Sequence, residues 1–327
     1  MMCFVSKDII ALVKKFLQKP QNDDIIRDAI RKDDVKSCDV ITDYITPTFH
    51  ICEEAAAIGS LNVLKWAKSY GYITGLSVDK AASNGQLEVL KWLNEIGKYK
   101  FHDTEIARRA IMGGHINILE WIKENGSDYF NPSIPFDACT LAAKTGQLET
   151  LKWLRSKGWD WNNDLCMYAA HGGQLEVFKY LHENGCPWNE GTCSQASGGG
   201  HLELLKYAHE NRCRWGIFTC SNAACTGQLE CLKYAHENGC PWNKETCKGA
   251  AYNGQLECLK YAHENGCPWD EITCLVAAGA GQLECLKYAH EHGCPWDERT
   301  CASAAENGHL ECLKYAHEHN CPCSGHS

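Results

Sequence analysis

The chain has 327 residues, 44% of them apolar, with 41 acidic side chains against 32 basic ones and a formal charge of -9. That balance argues against a nucleic-acid binder, which needs clustered Lys and Arg for phosphate, and no run approaches the roughly 20 uncharged apolar residues of a membrane span. Lys7 and Asp8 interrupt the apolar beginning before it could act as a signal-peptide core. The chain is therefore expected in the cytoplasm, with its 22 cysteines reduced and the Asn125-Gly126-Ser127 triplet unglycosylated.

In chain order, residues 1–20 read as an N-terminal capping helix, because Ile9, Ile10, Leu12, Val13, Phe16 and Leu17 give an amphipathic pattern. Residues 21–58 read as a degenerate first repeat with its turn near Asp33, where Asp28-Ala29-Ile30 stands for a double alanine and Val35 for a leucine. The array proper covers residues 59–320. The segment GQLECLKYAHENGCPW begins at Gly227, recurs at Gly254 and returns slightly altered at Gly281 and Gly308, a 27-residue step. Looser matches place the same frame at Gly200, Gly173, Gly146, Gly114, Gly85 and Gly59. Residues 321–327 form a polar tail whose two cysteines and His326 could hold a metal, though a frayed end is the simpler reading.

Within a unit, Leu256, Leu259, Tyr261 and Ala262 share one helical face, while Glu257, Lys260 and Glu264 fall on the other. Gly266 can take the left-handed conformation that closes this helix, and Pro268 cannot continue it. Asp270 then caps a second, shorter helix through Cys274, Ala277 and Ala278 to the next turn at Gly281. One such pair cannot bury its apolar face alone, so neighbours must stack. The expected fold is an all-α helix-pair solenoid.

Gly200-His201-Leu202-Glu203 and Gly308-His309-Leu310-Glu311, with Ala250-Ala251 and Ala304-Ala305, resemble the ankyrin repeat over about residues 50 to 322. The resemblance implies an ankyrin-like fold and a protein-binding role. The units depart from that family's period of about 33 residues: Thr273-Cys274 replaces the usual Thr-Pro-Leu-His start, and the interhelix hairpin is about six residues shorter. They look like the short Cys-Pro-Trp subtype of large DNA viruses of protists and of some protists, which for a viral chain implies the host cytoplasm. Such proteins sometimes carry an F-box, so ubiquitin-ligase docking through the N-terminal helix is an alternative to capping.

Cys231, His236, Cys240 and Cys247 are zinc-ligand types, which keeps a metal-binding or thiol-redox protein as an alternative. However, Val89, Val177 and Leu204 replace Cys231 elsewhere, and Val78 and Ala107 replace Cys247, which marks packing positions. His236-Glu237 lacks the second histidine of a metalloprotease helix, and Glu237 recurs as Glu264, Glu291 and Glu318, a solvated face with Lys233 one turn before. Gly198-Gly199-Gly200 reads as an interhelix turn and not as a phosphate loop. Trp161, Trp188, Trp215, Trp242, Trp269 and Trp296 form a ladder expected to cover the junctions between units, with ligand contact as the alternative. No enzyme, cofactor or metal is expected from these patterns.

The second helix is nearly copied from unit to unit, whereas the first helix and the residues after each Trp vary. The variable set is Met167, Tyr168, His171, Ser194, Gln195, Ile217, Phe218, Ser221, Asn222, Lys244, Lys248, Tyr252, Ile272, Leu275, Arg299, Ser303 and Glu306. Apolar side chains such as Ile217, Phe218, Ile272 and Leu275 at nominally exposed positions favour a contact surface. The expected partner is one or more proteins, bound by a monomer, with neither nucleic acid nor membrane involved.

Overall fold

The computed structural model describes residues 27–36, 49–69, 75–96, 103–125 and 137–322. The capping helix expected at 1–20, the Asn125-Gly126-Ser127 triplet beyond Asn125 and the tail beyond residue 322 lie outside them. All elements among the described residues are helices. The fold is an all-α helix-pair solenoid with short loops, and it divides into two compact units, Met1–Ala142 with Glu149–Asp160 and Ala143–Leu148 with Trp161–Ser327.

In the first unit the pairs are Phe49–Ile58 with Leu61–Ser69, Gly75–Ser83 with Leu87–Glu95 and Asp103–Gly113 with Ile116–Glu124. Their core is Ala55-Ala56, Ala81-Ala82 and, in the third pair, Ala110-Ile111 of the first helices, set against Val63, Leu64, Val89, Leu90, Ile118 and Leu119, all buried. Small residues on one helix let the branched side chains of its partner approach, and each fully buried Leu or Ile contributes about 1.5–3 kcal/mol. Residues 27–31 are helical, and Asp33 turns the chain with φ 51°. The Asp33 carboxylate accepts from the Asn62 amide nitrogen at 2.8 Å and from the Val63 N–H at 3.0 Å, tying this turn to the next pair.

In the second unit the first helices Leu165–His171, Glu190–Gly198, Ile217–Thr226, Lys244–Tyr252, Glu271–Gly279 and Glu298–Glu306 alternate with the second helices Leu175–Glu183, Leu202–Glu210, Leu229–Glu237, Leu256–Glu264, Leu283–Glu291 and Leu310–Glu318. Each first helix buries residues such as Thr246, Cys247, Ala250 and Ala251, and each second helix buries a set such as Cys258, Leu259 and Ala262. Asp270 caps as expected, its carboxylate accepting from the Ile272 N–H at 3.2 Å. The helix it opens is not the shorter of the pair. Glu271–Gly279 and Leu256–Glu264 both have 9 residues, because capping starts the helix directly after Asp270.

Two turns close each repeat. Gly254 at the interhelix turn has φ 71° and Gly266 after the second helix has φ 83°, conformations that strain any residue with a Cβ. The Cys267 N–H reaches back to the Ala262 carbonyl at 2.9 Å, the six-to-one bond of a Schellman end. Gly198, Gly199 and Gly200 do form an interhelix turn, with Gly200 at φ 76°.

Candidate functional site

The loop tryptophans and the second-helix histidines make one ladder. Trp188, Trp215, Trp242, Trp269 and Trp296 stack on His182, His209, His236, His263 and His290 of their own repeats at 3.7 to 3.9 Å between ring centroids. Each His from 209 onward also pairs through Nδ1 with the hydroxyl of a Tyr in the following repeat, as His236 does with Tyr261 at 3.3 Å. That Tyr meets the same Trp edge-on, 6.3 Å for Trp242 and Tyr261. The junction is thus held by a Trp, His and Tyr set; its histidines, of which the sequence raised His236 only as a zinc-ligand or metalloprotease type before setting both readings aside, pack within it. Burial first and then the neighbouring His292 hold His263 below the usual histidine range, and His319 adds to burial in the same way at His290.

The residues considered for zinc are each occupied. Cys231 is buried, and its thiol is pushed up to about 11 by burial and by Glu230. Cys240 donates to the Gly216 carbonyl at 3.4 Å, and Cys247 to the Cys267 carbonyl at 3.9 Å. Lys233 does not pair with Glu237; it pairs with Glu230 at 3.0 Å, one turn towards the helix start. Among the described residues no three His, Cys, Asp or Glu side chains converge on a point where a metal could sit.

The variable set lies mostly on the outer side of the first helices. Phe218 is 59% exposed and Tyr252 56%, and Ile217, His171, Lys244, Arg299 and Glu306 are exposed as well. Met167, Tyr168, Gln195, Ser221, Asn222, Lys248 and Ser303 are half-buried. Ile272 and Leu275 are also half-buried, so they offer less open apolar surface than the sequence suggests. Ser194 corrects the reading: it is 6% exposed, its hydroxyl donates to the Phe218 carbonyl at 3.2 Å and accepts from the Asn222 amide at 2.7 Å. It supports the face from beneath.

Polar members of the set are mostly tied to neighbouring repeats. His171 Nδ1 lies 2.9 Å from the Gln195 side-chain oxygen, Lys244 pairs with Asp270 at 2.9 Å, and Arg299 with Glu271 at 3.4 Å and Asp297 at 2.6 Å. Met167, Ser194, Phe218 and Asn222 are brought together around one cavity of about 430 Å³, completed by Asn189, Glu190, Gly191 and Gly216. The last four were missed. Their signal is a loss of side chains: Gly191 and Gly216 stand where sister repeats carry larger residues.

Stacked helix pairs with a repeated inner core and a variable outer face define an all-α repeat protein. Residues 139–182 match the family of ankyrin repeats in many copies. Among the solved structures that the chain is similar to is the crystal structure of the human ASB11 ankyrin repeat domain, at 20% identity and a TM-score of 0.41, covering 47% of this chain and 83% of that one. No curated protein matches. Among the described residues, no helix is long and apolar enough to cross a membrane.

Proposed function

We infer that the chain is a non-catalytic protein-interaction scaffold that recognises its partner with the outer face of the first helices and the loops after each Trp. The observation that carries this reading is the contrast between near-identical second helices, built of paired surface charges and buried Cys, Leu and Ala, and first helices whose exposed residues change from repeat to repeat and include Phe218 and Tyr252. Ankyrin repeats commonly serve as interaction surfaces, and this chain's match to them supports the same use. The free, buried thiols support a reducing compartment such as the cytoplasm.

The test is a pair of double variants, assayed against a partner captured by proximity labelling in the native cell and then purified. Replacing Phe218 and Tyr252 by alanine is expected to weaken binding about tenfold or more, the scale of interface hot spots, at nearly unchanged helicity. Replacing Glu257 and Lys260, which pair with each other at 2.8 Å on the second helix, is expected to change little. The reverse ranking would move recognition to the second-helix side.

A further inference from the structure

Laid over one another at the 27-residue step, the repeats between residues 162 and 322 hold Asn or Asp, Gly or Asn, and Pro at three loop positions, each with one exception, and a residue with a side chain at a fourth, again with one exception. The first position is Asn162, Asn189, Asn243, Asp270 or Asp297, but Gly216 in one repeat. The third is Asp164, Phe218, Glu245, Ile272 or Arg299, but once Gly191. The residue closing the second helix is Gly185, Gly239, Gly266, Gly293 or Asn320, but once Arg212. Two places later Pro187, Pro241, Pro268, Pro295 and Pro322 give way to Arg214.

The fold collects all four departures at one spot. Gly191 and Gly216 line the cavity of about 430 Å³ beside Met167 and Phe218. Arg212 and Arg214 line an adjoining hollow of about 590 Å³ beside Trp188, and the two hollows share Asn189 and Glu190. A Cβ on Gly216 would lie 2.8 Å from Glu190 Oε2, and one on Gly191 would lie 3.6 Å from Met167 Sδ, so it is the missing side chains that keep the cavity open. Arg212 holds φ 66°, a left-handed backbone that is strained for any residue with a Cβ. Drift on a solvated face would scatter such departures over the surface.

The charges at this spot lack partners. Of the two glutamates at the position of Glu190 in other repeats, Glu271 pairs with Arg299 at 3.4 Å and Glu298 has no ion pair among the described residues. Among the described residues, Glu190, Arg212 and Arg214 have no ion-pair partner. The groove therefore presents an unpaired carboxylate beside two apolar side chains and, next to it, two unpaired guanidinium groups beside an indole.

We propose that this groove binds an extended segment of a protein partner carrying a basic side chain next to an acidic one. The aliphatic stem of the lysine or arginine lies along Met167 and Phe218 with its head at Glu190, a use of both halves of a long basic side chain. The neighbouring carboxylate meets Arg212 and Arg214, whose planar forks suit carboxylate geometry. This assignment rests on the interaction-scaffold reading and gives it a first ligand chemistry.

The experiment selects a randomised dodecapeptide display library on the full chain, then titrates the selected peptides by fluorescence polarisation. Enrichment of adjacent Lys or Arg and Asp or Glu is expected. Gly191→Glu and Gly216→Asn install residue types that sister repeats already carry, and each should weaken those peptides about tenfold or more without lowering the melting temperature. Arg212→Gly with Arg214→Pro should remove the preference for the acidic residue, and Glu190→Lys should exchange the basic preference for an acidic one. Selected peptides without paired charges, or with affinities untouched by Gly216→Asn and by the Arg212, Arg214 double variant, overturn the groove. If such peptides still depend on Tyr252, the scaffold reading survives; if they ignore the first helices altogether, or if nothing is selected, both fall.

Discussion

Cys231, Cys258 and Cys285 sit at one second-helix position, each buried between repeats, and Val89, Val177 and Leu204 fill the same position elsewhere. A thiol here acts as a small apolar side chain, and burial raises it to about 11 at all three sites, well away from thiolate chemistry. Cys231→Val is therefore expected to change unfolding free energy by less than about 1 kcal/mol, whereas Cys231→Ser, which buries a hydroxyl, should cost about 1–3 kcal/mol. Urea denaturation of the two variants checks the difference. The histidines make a pH-dependent contribution of definite sign. His263 and His290 are held below the ordinary histidine pKa by burial and by His292 and His319. Their contribution to stability is at full strength above that ordinary value and falls as the pH drops below it towards the lowered one, because the unfolded chain takes up protons that the folded chain resists. Thermal melts from pH 8 to pH 5 should show that decline, and His292→Asn with His319→Asn, the residue of sister repeats, should lessen it. A stability that rises on acidification through this window would contradict the assignment.

At the scale of the element, a repeat is set by its two turns and its caps. Gly227 has φ 78°, and the Gln255 side chain of the next repeat covers the space a Cβ would need. Gly227→Ala is expected to cost more than about 1 kcal/mol, from backbone strain together with that steric conflict. Arg212→Gly should act the other way and gain on the order of 1 kcal/mol by relieving the left-handed arginine, and Gly216→Asn should gain a few tenths by restoring the cap. Chemical denaturation of the three variants tests this ranking. These elements were legible in the sequence because helix faces, glycine turns and Asp or Asn caps depend on residues close together in the chain. The equal length of the two helices was less legible, since it depends on where Asp270 begins the helix turn and not on hydrophobic spacing. The stacking of His236 on Trp242 and its bond to Tyr261 were hidden for another reason: the three residues meet only when a loop folds back and the following repeat docks.

At the scale of the whole molecule, the repeat pattern carries the fold, and departures from the pattern carry the site. Phe218, Asn222 and Met167 could be read as variable surface, but the cavity they share depends on Gly191 and Gly216, where the signal is an absent side chain. Ser194 was read on the same face because its position varies, yet the fold turns it inward beneath Phe218. On the proposed function, a partner protein lies across the first helices of the second unit. Hydrogen exchange of the chain alone and with its captured partner tests this most directly. Slowed exchange is expected in Glu190–Gly198, Ile217–Thr226 and Lys244–Tyr252, with little change in Leu202–Glu210, Leu229–Glu237 and Leu256–Glu264. Protection confined to the second helices, with the first helices exchanging as in the free chain, would contradict it.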